Sequence, residues 1–152
     1  KRIDIISTVI HGHMTVSDLA ELELAYAPAF GSAKDAVNIA GYVAQNYLEG
    51  LVDFFYPEDI ADLRDTDGVF LDVRTQKEFE RGHIEGAAHI PVDSLRERMN
   101  ELDKSKPLYV YCGVGLRGYV AYRILVQEGF KVSNLAGGMT LYNAINEDNK
   151  KR

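Results

Sequence analysis

From about residue 51 onward the chain alternates short apolar runs with helix-like stretches, and this alternation constrains the fold more than any other feature. The strand-like runs lie at residues 54–55, 69–73, 88–91, 108–111 and 132–135. Repeated strand–helix–strand units are typical of a parallel sheet that carries helices on both faces. We therefore predict an α/β fold with such a sheet for residues 51–152.

Residues 1–50 show helical spacing instead and are predicted to form a short, mainly helical segment ahead of the α/β part. Thr15 and Asp18 have the spacing of a helix-capping pair. Ser32 is the expected cap of a longer helix over residues 34–48. Three short helices with few large apolar side chains bury little surface, so we expect this segment to pack against other parts of a protein.

The charge and cysteine content argue against several classes of protein. The chain has 17 basic and 23 acidic residues, and the basic ones are scattered, so we expect neither nucleic acid nor a membrane surface as a partner. No apolar run approaches the ~18 residues of a membrane span. The single cysteine rules out an intrachain disulfide and a cysteine-based metal site, and its free thiol suits a reducing, cytoplasmic location.

The four histidines do not predict a metal site. His11 and His13 flank one glycine, and His83 and His89 lie six residues apart across a turn. The spacing of His83 and His89 is not that of two ligands on one helix face. His11 and His13 could bind a metal weakly, but such a pair at a helix end is more often incidental. We therefore expect no metal in this chain.

Cys112 follows the most apolar strand and is the first candidate for chemistry. In open α/β sheets, ligands bind at the carboxyl ends of the strands. The free N–H groups of a glycine-rich loop, a helix dipole and Arg117 would together stabilise a thiolate there and cradle an anionic substrate. The loop residues expected to line this cradle are Gly113, Val114, Gly115, Leu116 and Gly118. The structural alternative is that Cys112 is simply a small buried hydrophobe.

The same loop also matches a dinucleotide-binding pattern, G-x-G-x-x-G, over residues 113–118. That pattern requires an acidic residue about 20 positions later, at the end of the next strand. Residues 134–138 contain no acidic residue, and the match lies late in the domain. We therefore regard dinucleotide binding as the weaker interpretation.

Residues 54–148 resemble the rhodanese (sulfurtransferase) family. The motifs that carry the resemblance are Leu71-Asp72-Val73-Arg74, Glu78-Phe79, residues 82–91, the loop 112–117 and Leu135-Ala136-Gly137-Gly138. Two positions depart from the family pattern. Tyr142 stands where a tryptophan is frequent, and Gly118 stands where many members have serine, which removes a hydroxyl from the edge of the loop.

The resemblance implies a persulfide mechanism. Cys112 would accept sulfur from a sulfane-sulfur donor and pass it to a thiol acceptor, which divides the transfer into two covalent steps. Arg117 would position the anionic donor. Asp72 and Arg74 are expected to support the site, as an ion pair or by binding loop backbone, rather than to take part in chemistry.

Two alternatives to sulfur transfer remain. A phosphatase or arsenate reductase could use the same loop, although related cell-cycle phosphatases carry one more loop residue and this loop contains no acidic residue or histidine to act as general acid. A catalytically silent rhodanese fold could also serve only as a binding module.

Residues 24–38 carry a second resemblance, to the end of the dimerisation domain of flavin-dependent pyridine nucleotide-disulfide reductases. The coenzyme A-disulfide reductase and persulfide reductase branch is the nearest in pattern, and it implies that Tyr26 reaches a redox cysteine of a partner subunit. FAD and NAD(P)H would bind upstream of Lys1, in reductase domains of the same protein, which is expected to be a homodimer. The absence of an initiator Met at Lys1 agrees with a fragment of a longer protein.

Overall fold

The structure, a computed structural model, describes residues 1–149. The chain divides into two compact units, of which the first is Lys1–Leu51 and the second begins at Val52. Among the described residues, no helix is long and apolar enough to cross a membrane.

The first unit contains three helices: α1 (Arg2–His11), α2 (Val16–Glu21) and α3 (Ala36–Leu48). Thr15 and Asp18 form the predicted capping box at the start of α2. The prediction that Ser32 caps the third helix is wrong. Asp35 caps it, because its side chain accepts a hydrogen bond from the Val37 N–H while Asn38 bonds back to the Asp35 N–H.

The core of the first unit is small and includes a buried amide. Asn38 is fully buried, and its Nδ2 donates to the carbonyl oxygens of Ala20 and Leu22 at 3.3 and 2.8 Å. Gly41 lets α3 approach α2 closely, since a Cβ there would lie 2.5 Å from the Ala20 nitrogen. Several large apolar side chains of this unit stay exposed, including Ile3, Ile10, Phe30 and Leu48.

The second unit is built on a five-stranded sheet in the order β1-β5-β4-β2-β3, with every neighbouring pair parallel. The strands are β1 (Phe54–Phe55), β2 (Val69–Asp72), β3 (Ala88–His89), β4 (Leu108–Tyr111) and β5 (Val132–Leu135). The predicted α/β fold is therefore confirmed.

Helices connect these strands. They are α4 (Ile60–Leu63), α5 (Gln76–Glu80), α6 (Leu95–Arg98), α7 (Leu116–Gln127) and α8 (Gly138–Asn149), with 3-10 turns at Pro57–Asp59, Val92–Ser94 and Met99–Glu101. The apolar spacing after the loop predicts a helix over residues 118–129, and α7 begins two residues earlier, at Leu116. This earlier start places Arg117 inside the first helical turn.

Side chains of the strands alternate between two apolar clusters, one on each face of the sheet. Leu71, Val110 and Cys112 belong to the cluster that includes Ala121 and Leu125 of α7. The opposite cluster contains Phe70, Tyr109 and Tyr111, together with Ile60 of α4 and Met139 of α8. Because residues alternate faces along a strand, Cys112 continues the β4 pattern and its side chain lies among buried apolar residues.

Candidate active site

Cys112 lies immediately beyond β4, at the carboxyl end of a central strand. Its side chain is 1% exposed and forms no disulfide. The Gly115 N–H donates a hydrogen bond to Cys112 Sγ at 3.1 Å. Gly115 has φ = 124°, a backbone conformation that L side chains rarely adopt, so a glycine is needed to aim this N–H at the sulfur.

The N-terminus of α8 holds the first two peptide groups of the loop. The Met139 and Thr140 N–H groups donate to the carbonyl oxygens of Cys112 and Gly113 at 2.9 and 3.0 Å. Gly138 has φ = 57°, and a Cβ on it would lie 2.6 Å from the Cys112 carbonyl oxygen. The glycine pair at 137–138 therefore permits the close approach that orients the loop.

Arg117 is engaged in an ion pair rather than being free. Its Nη1 and Nη2 each donate to one carboxylate oxygen of Glu78, both at 2.7 Å. The Glu78 carboxylate also accepts from the Thr75 hydroxyl at 2.7 Å and the Thr75 N–H at 3.1 Å, as part of the capping box of α5. The Arg117 guanidinium holds the pKa of the Glu78 carboxyl well below its usual range, and Glu78 in turn raises the pKa of Arg117.

This ion pair lies against the loop. A Cβ on Gly113 would sit 3.4 Å from Arg117 Nη2 and 3.9 Å from Glu78 Oε1, so both charges are next to the residue that follows Cys112. Glu78 belongs to a motif that carries the family resemblance, but the sequence predicts no role for it at the site. Its T-x-x-E spacing with Thr75 indicates a helix cap, and no local pattern reveals a partner 39 residues away.

Gly118 makes room for a side chain of β5. A Cβ at position 118 would lie 2.2 Å from Asn134 Oδ1, closer than real atoms approach. Asn134 is 2% exposed, and its Nδ2 donates to the Gly115 carbonyl oxygen at 3.4 Å. Its Oδ1 has no hydrogen-bond partner among the described residues. Asn134 is not among the residues that the sequence predicts at the site, because only the sheet order brings β5 beside the loop.

Asp72 and Arg74 form a buried ion pair at the carboxyl end of β2. The Arg74 guanidinium contacts both Asp72 oxygens, with a shortest distance of 2.6 Å, and its Nη2 donates to the Gly82 carbonyl oxygen at 2.7 Å. The guanidinium also lies 5.7 Å from the Tyr111 ring centroid. Burial, reinforced by the Asp72 charge, raises the pKa of the Tyr111 hydroxyl. The contact with Gly82 ties the pair to the segment that follows α5.

Both histidines of the 83–89 segment pack against Phe79. The His83 and His89 rings stack with the Phe79 ring at centroid distances of 3.8 and 4.4 Å. One nitrogen of His83 lies 3.0 Å from the Phe79 carbonyl oxygen, and one nitrogen of His89 lies 2.9 Å from the Arg74 carbonyl oxygen. Within residues 1–149, no group of three or more His, Cys, Asp or Glu side chains could hold a metal ion.

The remaining predicted site residues lie at the surface. Val114 and Leu116 point outward from the loop and are 71% and 72% exposed. Tyr26, in the first unit, is half exposed and lines a cavity of about 570 Å³ together with Arg2, Phe30 and Asp35. Tyr142 packs beside the apolar cluster that contains Tyr109 and Tyr111.

A family model for the rhodanese-like domain matches residues 56–145, which include the loop and the Glu78 ion pair. The chain belongs to the rhodanese-like family. The fold and loop described above are thus those of a rhodanese-like domain. The Gly115 N–H, which a dinucleotide phosphate would need, is instead directed at Cys112 Sγ.

Two solved structures are similar to nearly the whole chain. Reduced Bacillus anthracis CoADR-RHD is 43% identical, with a TM-score of 0.93, and the match covers 97% of this chain and 26% of that one. An NAD-dependent persulfide reductase from A. fulgidus is 42% identical, with a TM-score of 0.79, and the match covers 91% of this chain and 24% of that one.

Curated relatives match part of the chain. A tRNA uridine(34) hydroxylase of Yersinia pestis is 31% identical over 115 residues, covering 71% of this chain and 29% of the hydroxylase. The chain spans between 29% and 55% of the length of the first curated relatives that it matches.

Proposed function

We propose that the second unit is a sulfurtransferase domain that carries sulfur as a persulfide on Cys112. The observation that carries this proposal is the hydrogen bond from the Gly115 N–H to Cys112 Sγ, at the N-terminus of the twelve-residue helix α7. A backbone donor and the positive end of a helix dipole both favour a negative charge on sulfur. A merely structural buried cysteine would need neither.

The proposed reaction has two displacement steps. In the first, the Cys112 thiolate attacks the outer sulfur of a donor R–S–SH, the donor S–S bond breaks, and RS⁻ leaves with the electron pair. Cys112 then carries –S–SH. In the second, an acceptor thiolate attacks that outer sulfur, and the Cys112 thiolate leaves with the bonding pair. No external oxidant or reductant is consumed, and each step is an ordinary thiol–disulfide type of exchange.

The surrounding residues act by positioning. The N–H groups of Met139 and Thr140 hold the Cys112 and Gly113 carbonyl groups, so the loop keeps the Gly115 N–H directed at the sulfur. Asp72 and Arg74 support the segment beside the loop. Cys112 is 1% exposed, and because Gly113 and Gly115 carry no side chain, no Cβ of these two residues adds to its cover. Val114 and Leu116 form an apolar rim that a donor or acceptor passes.

The test is mass spectrometry of the protein after exposure to glutathione persulfide and to thiosulfate. We expect a mass gain of one sulfur atom on Cys112, removal of that sulfur by a thiol, and neither event in Cys112→Ser. Sulfur transfer that survives Cys112→Ser overturns the mechanism. An unmodified thiol with every donor indicates a binding module, and hydrolysis of phosphoryl esters without sulfur transfer indicates phosphatase-type chemistry.

We further propose that the chain is the C-terminal part of a homodimeric flavoprotein that reduces persulfides, polysulfides or coenzyme A disulfide. The likeness to CoADR-RHD supports this, because it extends over 97% of the chain and so includes most of the first unit. FAD and NAD(P)H would then bind in reductase domains preceding Lys1. The sulfur on Cys112 would pass to or from that reductase site, in the cytoplasm.

The corresponding experiment uses the full-length gene product. We expect a flavin absorption spectrum and NAD(P)H oxidation that depends on an added persulfide or disulfide. Tyr26→Phe is expected to slow that oxidation without changing persulfide formation on Cys112, since Tyr26 belongs to the first unit. A full-length product without flavin contradicts the proposed flavoprotein. An NAD(P)H oxidation rate that is the same in Tyr26→Phe contradicts the proposed contribution of Tyr26.

A further inference from the structure

The Glu78 carboxylate accepts hydrogen bonds from both Nη atoms of Arg117. The two contacts are 2.7 Å long and have the parallel, two-point geometry in which a guanidinium otherwise binds an oxyanion. Glu78 is itself held by the hydroxyl and N–H of Thr75. Turning Arg117 toward a substrate would therefore break two charge-assisted hydrogen bonds.

The position of the pair matters as much as its geometry. Arg117 Nη2 and Glu78 Oε1 both lie within 4 Å of a Cβ built on Gly113, the residue next to Cys112. An anion approaching Cys112 therefore meets a carboxylate together with a cation, and the two charges largely cancel. The backbone donor to Cys112 Sγ contributes only a partial charge.

We propose that Glu78 is a specificity-determining residue that disfavours doubly charged sulfur donors and leaves singly charged ones, such as organic persulfides, as the preferred class. The inference rests on the proposed sulfurtransferase function. With a doubly charged donor such as thiosulfate, the Cys112 thiolate takes the outer sulfur and sulfite leaves with the electron pair. With a singly charged donor, the same displacement releases a thiolate or a sulfinate.

Two donors of similar shape separate the effect of charge from that of chemistry. Thiosulfate carries two negative charges, and methanethiosulfonate, in which a methyl group replaces one oxygen, carries one. The rate of persulfide formation on Cys112 is measured by mass spectrometry with each donor, in the wild-type protein and in two variants. The measured quantity is the ratio of the thiosulfate rate to the methanethiosulfonate rate. Because the intrinsic reactivities of the two donors are the same in every variant, a change in this ratio between variants reports on the protein.

Glu78→Gln removes the carboxylate charge and frees Arg117. Glu80→Gln is the matched control, because Glu80 is exposed on the same helix and contacts Gln76 instead of Arg117. We expect the thiosulfate-to-methanethiosulfonate ratio to rise about tenfold or more in Glu78→Gln, as one unpaired charge a few ångströms away implies. Glu80→Gln is expected to keep the wild-type ratio.

An unchanged or lowered ratio in Glu78→Gln overturns the inference, as does an equal rise in Glu80→Gln. A second measurement on the wild-type protein covers the case in which Glu78→Gln does not fold. Sulfate is expected not to protect Cys112 from iodoacetamide, and strong protection shows a dianion site and overturns the inference. If no donor forms a persulfide on wild-type Cys112, the proposed function itself fails, which is a distinct outcome.

Discussion

Substitution of Gly118 by alanine tests how the loop is packed against the sheet. The added Cβ would stand 2.2 Å from Asn134 Oδ1, so either the loop or β5 must move. Overpacking costs about 1–3 kcal/mol, and so close an approach belongs at the upper end of that range, about 2–3 kcal/mol. Replacing glycine within a helix regains about 1 kcal/mol. We therefore expect Gly118→Ala to lower the free energy of unfolding by about 1–2 kcal/mol, although the same change stabilises an ordinary helix.

The assay is urea unfolding followed by the near-ultraviolet circular dichroism of tyrosine, because Tyr111 and Tyr122 are buried in this unit and the chain has no tryptophan. Asn134→Ala removes the obstructing oxygen. The double variant should therefore be more stable than the sum of the two single changes predicts, by at least about 1 kcal/mol of coupling. Strictly additive effects, or a Gly118→Ala protein as stable as wild type, would refute the close contact between the loop and β5.

Three further predictions concern other contacts in the second unit. Asp72→Asn leaves the Arg74 guanidinium buried without its anion, and we expect a loss of about 3–5 kcal/mol, measured by urea unfolding. Gly138→Ala forces a side chain at φ = 57° against the Cys112 carbonyl oxygen. We expect a lower thermal midpoint and slower alkylation of Cys112. An unchanged alkylation rate would contradict the role of α8 in orienting the loop. The pKa of Glu78 is lowered from 4.5 on folding, so the carboxylate stabilises the folded state fully above pH 4.5 and progressively less below it. The difference in free energy of unfolding between wild type and Glu78→Gln should therefore shrink only on acidification below pH 4.5.

Much of the fold follows from local sequence patterns. These patterns predict the capping box at Thr15, the parallel sheet and three of its strands, Phe54–Phe55, Leu108–Tyr111 and Val132–Leu135. Helix boundaries were less so. The predicted cap at Ser32 competes with Asp35, whose carboxylate and reciprocal partner Asn38 satisfy two N–H groups at once.

Part of the candidate site also follows from local sequence, and part of it does not. The position of Cys112 after an apolar strand, and the glycines beside it, follow from residues that are close together in the chain. The pairing of Arg117 with Glu78 does not, and the prediction that Arg117 positions an anionic donor took no account of that carboxylate. The role of Arg117 as a donor-binding residue therefore stays a prediction, which the donor-charge experiment tests.

The sequence by itself determined the α/β class, the rhodanese resemblance and the identity of the one cysteine, because periodicity, capping and loop motifs are properties of short stretches of chain. Only the tertiary structure decided which distant side chains meet the loop. The strand order brings Asn134 of β5 against Gly118, and the fold places Glu78 of α5 beside Gly113 of the loop. These contacts depend on distances between segments far apart in the chain, and no local pattern of residues specifies such distances.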